Sequence, residues 1–465
     1  MEYYAKSKKV QFTSERINEI KKNMKNIEEC LKENLTETDV EILNSSITDI
    51  AEKTEEKQKT LKEHHKDIVT CAEMFFLEYG EYFTEKEKKL VVEACRIHDL
   101  GKVNLVFQAM ICPKLAEKFH IDVRKTQQIP HGFLSAVTIS LDEFDDLSEL
   151  FSDKDFGPFI TAVYYHHDRE DHYNSPAIRK YAEKYYMKQI EEYLNRKIRK
   201  LNCSNLDDLL FRNNVYTGKY IPDSNAWKEY LLIKGLLNKF DYTVSAGYEN
   251  AERAIDLHEK KLVKNIEKFL NGKELRPAQK FMKMNRDKNL IVIAPTGSGK
   301  TEASLLWMNG EKSFYTLPLK VSSNAIYLRI KENYEYKDVA LLHSDAMAVY
   351  LREYNGNEDI GEKYERSKML SQPLTVCTVD QLFRFVYRAL GTEIFAATLK
   401  YSKLVLDEIQ TYEPRVIATI IYGLKMIQEM GGKFAIITAT FPPVLKYFME
   451  QYGLVEGKQY IFSVC

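Results

Sequence analysis

The sequence predicts a multidomain chain: an all-α part followed by an α/β lobe whose parallel sheet carries a phosphate-binding loop. Three observations carry this. Residues 291–301 read IVIAPTGSGKT, a buried β-branched strand that breaks at Pro295 into a Gly-Ser-Gly turn and restarts as a helix. From residue 61 to about 245 the apolar spacing is helical, with few strand-like alternations. Beyond about residue 270, apolar runs alternate with helical stretches in the βαβ manner, and one of them, SKLVLDEIQ, ends in adjacent carboxylates.

The 465 residues, 44% of them hydrophobic, are enough for two or three domains with full cores. The seven cysteines are scattered, with no pair at metal-ligand or redox spacing, so a reducing interior is expected and the cytoplasm is the default location. No apolar run approaches membrane-spanning length, and MEYYAKSKKV lacks the apolar core of a signal peptide. A net charge of −1 conceals 67 basic and 68 acidic residues, so nucleic acid would have to be bound by local patches.

In chain order, residues 10–60 place Ile17, Ile20, Met24, Ile27 and Leu31, then Val40, Leu43, Ile47 and Ile50, at helical spacing on either side of Asn34-Leu35-Thr36. A helical hairpin without chemistry of its own is expected. Residues 61–245 hold most of the ten histidines. They come as His64-His65 in LKEHHKDIV, His98-Asp99 in VVEACRIHDLGK, His131 in PHGFLSA and His166-His167 in YYHHDRE, with Asp241 after LLIKGLLNKF. Imidazole and carboxylate delivered beside apolar helix faces suit Mn, Fe, Co, Ni or Zn better than Ca, and a carboxylate between two cations can bridge them.

This arrangement resembles the HD phosphohydrolase superfamily, whose helical bundle carries a first His, a His-Asp pair, further histidines and a terminal Asp. LKEHHKDIV fits the family's first-ligand pattern with His64 in the ligand position and His65 in reserve. The resemblance implies one metal site of His64, His98, Asp99 and Asp241, and a second of His131, His166 and His167 sharing Asp99. It also implies that Lys102 lies near the scissile phosphate. Phe240 stands before Asp241, where small residues are usual. Two divalent transition-metal ions (Mn, Fe, Co or Ni) would lower the pKa of a shared water and stabilise both oxygens of phosphodiester hydrolysis.

Residues 246–272 read as a charged helical connector ending at Asn271-Gly272, and residues 273–465 as the α/β lobe. In the loop Thr296-Gly297-Ser298-Gly299 the glycines let backbone N–H groups face an anion. Lys300 can reach the β/γ-phosphates of ATP, and the Thr301 hydroxyl can hold Mg²⁺. Ala294 replaces the first glycine of the general pattern, a substitution common in helicases. The lobe resembles a RecA-like lobe of superfamily 2 helicases, in which a Gln placed like Gln279 reads adenine. After the strand Leu404-Val405-Leu406, Asp407 would hold Mg²⁺ and Glu408 would polarise the attacking water. Thr316–Ala325 and Cys377–Phe385 resemble the elements that grip a sugar-phosphate backbone. Thr438-Ala439-Thr440 resembles the element that couples nucleotide state to that grip.

An HD domain followed by such a lobe resembles the helicase-nuclease of type I CRISPR-Cas systems. Tyr4-Ala5-Lys6-Ser7, Thr378-Val379-Asp380-Gln381 and Asp407-Glu408-Ile409-Gln410 with Tyr412-x-Pro414 sharpen the likeness, while the helical insertion within residues 1–60 departs from it. The resemblance implies recruitment by an RNA-guided, Cascade-type surveillance complex, nicking of the displaced strand, ATP-driven 3′ to 5′ translocation, and degradation of single-stranded DNA by a monomeric, membrane-free protein. The arginine motifs of a second RecA-like lobe do not occur in the sequence. The expectation is either a fragment, a lobe completed by another polypeptide, or a nuclease with half a motor, with weak ATP binding and negligible turnover by this chain alone. Two other readings stay open. One is an HD phosphohydrolase acting on RNA or nucleotides with a helicase-like targeting module. The other is a non-catalytic piece that binds the surveillance complex.

Overall fold

The computed structural model describes residues 1, 3–5, 59–139, 156–167, 175–198, 201, 210, 224–253, 260–353, 360–454 and 460–464. The hairpin expected within residues 10–60 lies outside these, apart from Lys59 and Thr60. The described residues fall into two compact units that divide between Ala251 and Glu252.

The first unit is helical. Its helix α1 (Leu61–Tyr79) starts at a capping box in which the Thr60 hydroxyl accepts from the Glu63 N–H at 3.2 Å and the Glu63 carboxylate accepts from the Thr60 N–H at 2.9 Å. Its buried positions are Leu61, His64, Ile68, Cys71, Ala72, Phe75 and Tyr79, one stripe at three- and four-residue spacing. His64 thus enters the interior as a member of an apolar face. Helix α2 (Glu85–Ile97) repeats the device with Thr84 and Glu87, then gives way at His98 and Asp99 to a 3₁₀ turn over Leu100–Val103. The short helices α3 (His131–Thr138) and α4 (Phe156–Tyr164) bring in the remaining imidazoles. The long helix α5 (Asn225–Ser245), buried on nearly every side, packs against α1, α2 and α4 and carries Asp241.

Two glycines set how closely these elements approach. A Cβ on Gly101 would lie 2.0 Å from the His131 carbonyl oxygen, and one on Gly132 would lie 2.6 Å from the Tyr164 carbonyl oxygen. The Gly101 N–H also donates to the Ser135 hydroxyl at 2.8 Å, fixing the turn to α3.

The second unit is a fully parallel sheet with helices around it. Its strands are β1 (Asn289–Ile293), β2 (Ser313–Leu317), β3 (Val339–Leu342), β4 (Leu374–Thr378), β5 (Lys403–Asp407), β6 (Lys433–Thr438) and β7 (Tyr460–Val464). They lie in the order β3-β4-β2-β5-β6-β1-β7. Strands β1 to β6 are buried almost throughout, as parallel strands covered on both faces must be. The register pairs Ile293 with Thr438 and Asp407 with Ile437, so the carboxyl ends of β1, β5 and β6 lie level. That edge is where open α/β sheets bind ligands.

The stretch read as a connector divides between the units. Helix α6 (Lys261–Leu270) drives Leu262, Val263 and Ile266 into the core of the second unit because its apolar face repeats every three or four residues. Glu252, the residue at which this unit begins, is buried under the amino ends of the strands. There it accepts from Lys312 Nζ at 2.6 Å and from the Tyr401 hydroxyl at 2.6 Å. Lys312 also donates to the carbonyls of Gln372, at 2.9 Å, and Leu370.

Gly101→Ala is expected to cost about 2 kcal/mol through overlap with the His131 carbonyl and to lower the thermal unfolding midpoint of the helical unit by several degrees. An unchanged midpoint would mean that the turn and α3 can separate freely.

Candidate metal centre and nucleotide loop

In the first unit, His64, His98, His131, His166 and His167 gather around Asp99, which has no solvent exposure. Asp99 Oδ2 lies 3.4 Å from His64 Nε2 and 3.4 Å from His98 Nε2, and accepts from Lys102 Nζ at 2.6 Å. Asp99 Oδ1 lies 3.3 Å from His131 Nε2 and 3.5 Å from His166 Nε2. The two oxygens of one carboxylate therefore face two imidazole groups. His64, His98 and Asp99 form one potential cation cluster, and Asp99, His131, His166 and His167 form another. Asp241 faces the same nitrogens from the other side: its Oδ1 is 3.1 Å from His64 Nε2 and its Oδ2 is 3.0 Å from His167 Nε2, so its carboxylate reaches one imidazole of each group at the atom that would meet an ion. His65 turns aside, with Nδ1 3.1 Å from the Tyr193 hydroxyl.

Backbone geometry fixes the tautomers. His98 donates from Nδ1 to the Cys95 carbonyl at 3.0 Å, and His166 from Nδ1 to the Val163 carbonyl at 2.6 Å. A carbonyl only accepts, so in each ring Nε2 is left with its lone pair pointing at Asp99. Burial alone would push the Asp99 carboxyl up, but His98 and Lys102 outweigh it and hold it well below the usual carboxylate range. Burial first, then Lys102, holds His131 well below the ordinary imidazole value, and burial with His167 lowers His166 to about 3. His64 and His167 are also depressed by burial, but their contacts with Asp241 outweigh it and raise both.

Within the centre, His64 Nε2, His98 Nε2 and Asp99 Oδ1 are buried without a hydrogen-bond partner. Such atoms are costly inside a protein, and lone pairs aimed at one point from separate helices are what a divalent cation satisfies. The donor set therefore fits transition-metal ions. The side of access follows from exposure: the side chains of His167 and His131 are 31% and 14% exposed, whereas His98, Asp99 and His166 are sealed.

The nucleotide loop is described within the second unit alone. Gly297 and Gly299 adopt φ of 82° and 84°, the left-handed region that a side chain disfavours. A Cβ on Gly299 would also lie 2.3 Å from Gln279 Nε2. Gln279 is buried against the loop, its Oε1 accepting from the Arg276 N–H at 3.0 Å and its Nε2 3.5 Å from the Gly299 carbonyl. Thr296 is exposed at the tip, Ser298 Oγ is buried without a partner, and Thr301 is buried at the start of helix α7 (Lys300–Met308). Lys300 is paired with Glu408. Asp407 accepts from the Tyr315 hydroxyl at 2.7 Å through Oδ2, has no partner at Oδ1, and is pushed up by burial. Burial also raises Glu408, but Lys300 and Gln410 outweigh it and bring its pKa down. Gln410 donates to Glu408 at 2.5 Å and accepts from the Thr438 hydroxyl, which in turn accepts from the Thr440 N–H at 3.3 Å. A continuous polar chain thus runs from the loop lysine to the end of β6.

Several contributors carry no signal in the sequence. Tyr315 reads as an ordinary core residue of β2, yet it holds Asp407. Gln108 reads as a polar position on a short helix, yet it binds the Lys102 carbonyl at 2.8 Å. Arg276 donates to the Gly297 carbonyl, and its place before Pro277 at a helix start was the only hint available.

Comparison with known proteins agrees with both halves. The family model described as "Cas3, HD domain" matches residues 51–225, and that described as "DEAD/DEAH box helicase" matches residues 277–448. The "CRISPR-associated nuclease/helicase Cas3" of Methanothermobacter thermautotrophicus is 25% identical over 464 aligned residues, covering 86% of this chain and 54% of that protein. The "Putative CRISPR-associated nuclease/helicase Cas3" of Methanocaldococcus jannaschii is 27% identical over 199, covering 39% of this chain and 27% of that protein. The crystal structure of T. fusca Cas3 with ATP shares the fold, with a TM-score of 0.60 at 16% identity over 86% of this chain and 50% of that one. The chain thus spans about half the length of the first of these relatives and of that structure. It thus matches the Cas3 family over both halves, with a Cas3-type HD domain followed by one DEAD/DEAH-box helicase lobe.

Proposed function

We propose that the chain is a metal-dependent nuclease for single-stranded DNA joined to an ATP- and Mg²⁺-binding helicase lobe, and that it acts as a cytoplasmic monomer on DNA opened by an RNA-guided CRISPR surveillance complex. The observation that carries the proposal is the division of the two Asp99 oxygens between two imidazole groups. No described helix is long and apolar enough to cross a membrane.

His64, His98 and Asp99 would hold one divalent transition-metal ion (Mn, Fe, Co or Ni) and Asp99, His131, His166 and His167 a second, with Asp241, whose oxygens face the Nε2 atoms of His64 and His167, as a further oxygen ligand. Such a pair, when bound, supplies Lewis acidity and a nucleophilic water at neutral pH. The chain's own residues supply the rest. The Nδ1 bonds of His98 and His166 keep Nε2 free to ligate, and Lys102 sets a cation beside Asp99 where a phosphate would meet it. A flexible single strand can reach the half-open side marked by His131 and His167. In the lobe, Gly297, Gly299, Lys300 and Thr301 would cradle the nucleotide phosphates. Asp407 would hold Mg²⁺, and Glu408 would orient water once Lys300 turns to the phosphates.

The test is cleavage of single-stranded DNA, RNA and free nucleotides by the purified chain with Mn²⁺, Co²⁺ or Ni²⁺ and with a chelator. DNA is expected to be cut only with metal present; untouched DNA under every metal would sink the proposal. Asp99→Ala should reduce cleavage by more than about a hundredfold and lower bound metal measured by elemental analysis. Lys300→Ala should weaken ATP binding, followed with a fluorescent analogue, by about tenfold or more.

A further inference from the structure

The tripeptide Tyr3-Tyr4-Ala5, near the start of the sequence, lies apart from the metal centre along the chain, and nothing in the chemistry above uses it. Its backbone pairs with the residues before α1: Leu61 N–H donates to the Tyr3 carbonyl at 2.8 Å and Ala5 N–H to the Lys59 carbonyl at 3.0 Å, forming an antiparallel bridge between Tyr4 and Thr60. In such a bridge the N–H and C=O of the central residue point the other way. Those two groups of Tyr4 meet the side-chain amide of Gln108. Gln108 Oε1 accepts from the Tyr4 N–H at 2.9 Å, and Nε2 donates to the Tyr4 carbonyl at 2.9 Å. The second Nε2 hydrogen goes to the Lys102 carbonyl at 2.8 Å. Gln108 has no solvent exposure, and this fork uses both of its amide hydrogens together with its oxygen.

Resting on the nuclease reading above, we propose that Gln108 is a positioning residue that ties the amino-terminal segment at Tyr4 to the 3₁₀ turn over Leu100–Val103 and thereby aims Lys102 at Asp99 and the substrate phosphate. That turn is short and lies directly between Asp99 and the cap residue Asn104. Its Gly101 carbonyl accepts from Asn104 Nδ2 at 2.6 Å, so Gln108 and Asn104 hold adjacent carbonyls of one turn. Loss of the fork leaves the buried Lys102 carbonyl and the part-buried N–H and carbonyl of Tyr4 to find new partners, and the turn is the smallest element able to move in response.

The test uses Gln108→Met and Gln108→Glu, each alone and combined with Lys102→Ala, in the full chain. Hydrogen exchange of the metal-free protein is expected to rise across residues 99–103 in both variants, and at Tyr4 in Gln108→Met, where its acceptor is lost. With metal, bound-ion content should match the parent, cleavage should slow by about tenfold, and KM should stay unchanged. Each double variant should cut no more slowly than Lys102→Ala alone, because Gln108 acts through that lysine. Losses that multiply, metal content that falls with the rate, or unchanged exchange at 99–103 would each overturn the proposal. Gln108→Glu keeps the side-chain volume and an acceptor for the Tyr4 N–H, so it decides the matter should Gln108→Met fail to fold. A parent protein that does not cut DNA would defeat the nuclease reading, and the exchange data would still judge the fork.

Discussion

A buried carboxylate organises the helical unit. Moving an ionised group out of water costs several kcal/mol even after relaxation, roughly the size of a small domain's whole stability. Asp99 is tolerated only because cationic or cation-seeking groups surround it: Lys102 on one oxygen and imidazoles on both. The constraint reaches outward. The Cys95 and Val163 carbonyls must orient two rings, Asp241 must face two others, and Gly101 and Gly132 must stay without side chains so that the turn, α3 and α4 can close on the carboxylate.

The lobe solves a similar problem differently. Asp407 emerges from a strand rather than a helix, and its partner is the Tyr315 hydroxyl, a neutral donor from the adjacent strand. Burial therefore raises its pKa instead of being overcome. Glu408, held at φ 52° next to it, draws on Lys300 and Gln410 and stays easily ionised. Two neighbouring acids with opposite tendencies suit different tasks, one gripping a cation and the other handling water.

Much of this was legible because it is local. The strand, loop and helix around Lys300 are contiguous in sequence, and the histidine-bearing segments announce donor chemistry. The choice between His64 and His65 was also open to a reader of periodicity: Leu61, Ile68, Cys71 and Phe75 share the face of His64 and exclude its neighbour. Tyr315 and Gln108 were hidden for the opposite reason. Each sits where pattern expects an ordinary core or helix residue, and its partner is distant along the chain, 92 positions away for Asp407 and 104 for Tyr4. Asp241 was visible as an acid, but no spacing rule foretells that its two oxygens would face imidazoles of both groups.

The Glu252 side chain gives the border between the modules a physical meaning. A piece of this protein begun at residue 273, where the α/β pattern starts, would keep the phosphate loop and every described strand, yet lose the carboxylate that meets the Lys312 ammonium 2.6 Å away beneath the sheet. Removing one partner of a buried ion pair costs about 3–5 kcal/mol. Recombination or engineering that respects the nucleotide motifs but severs the polypeptide downstream of Arg253 would therefore hand on a weakened lobe. The heritable block extends at least to Glu252, some twenty residues upstream of the visible pattern.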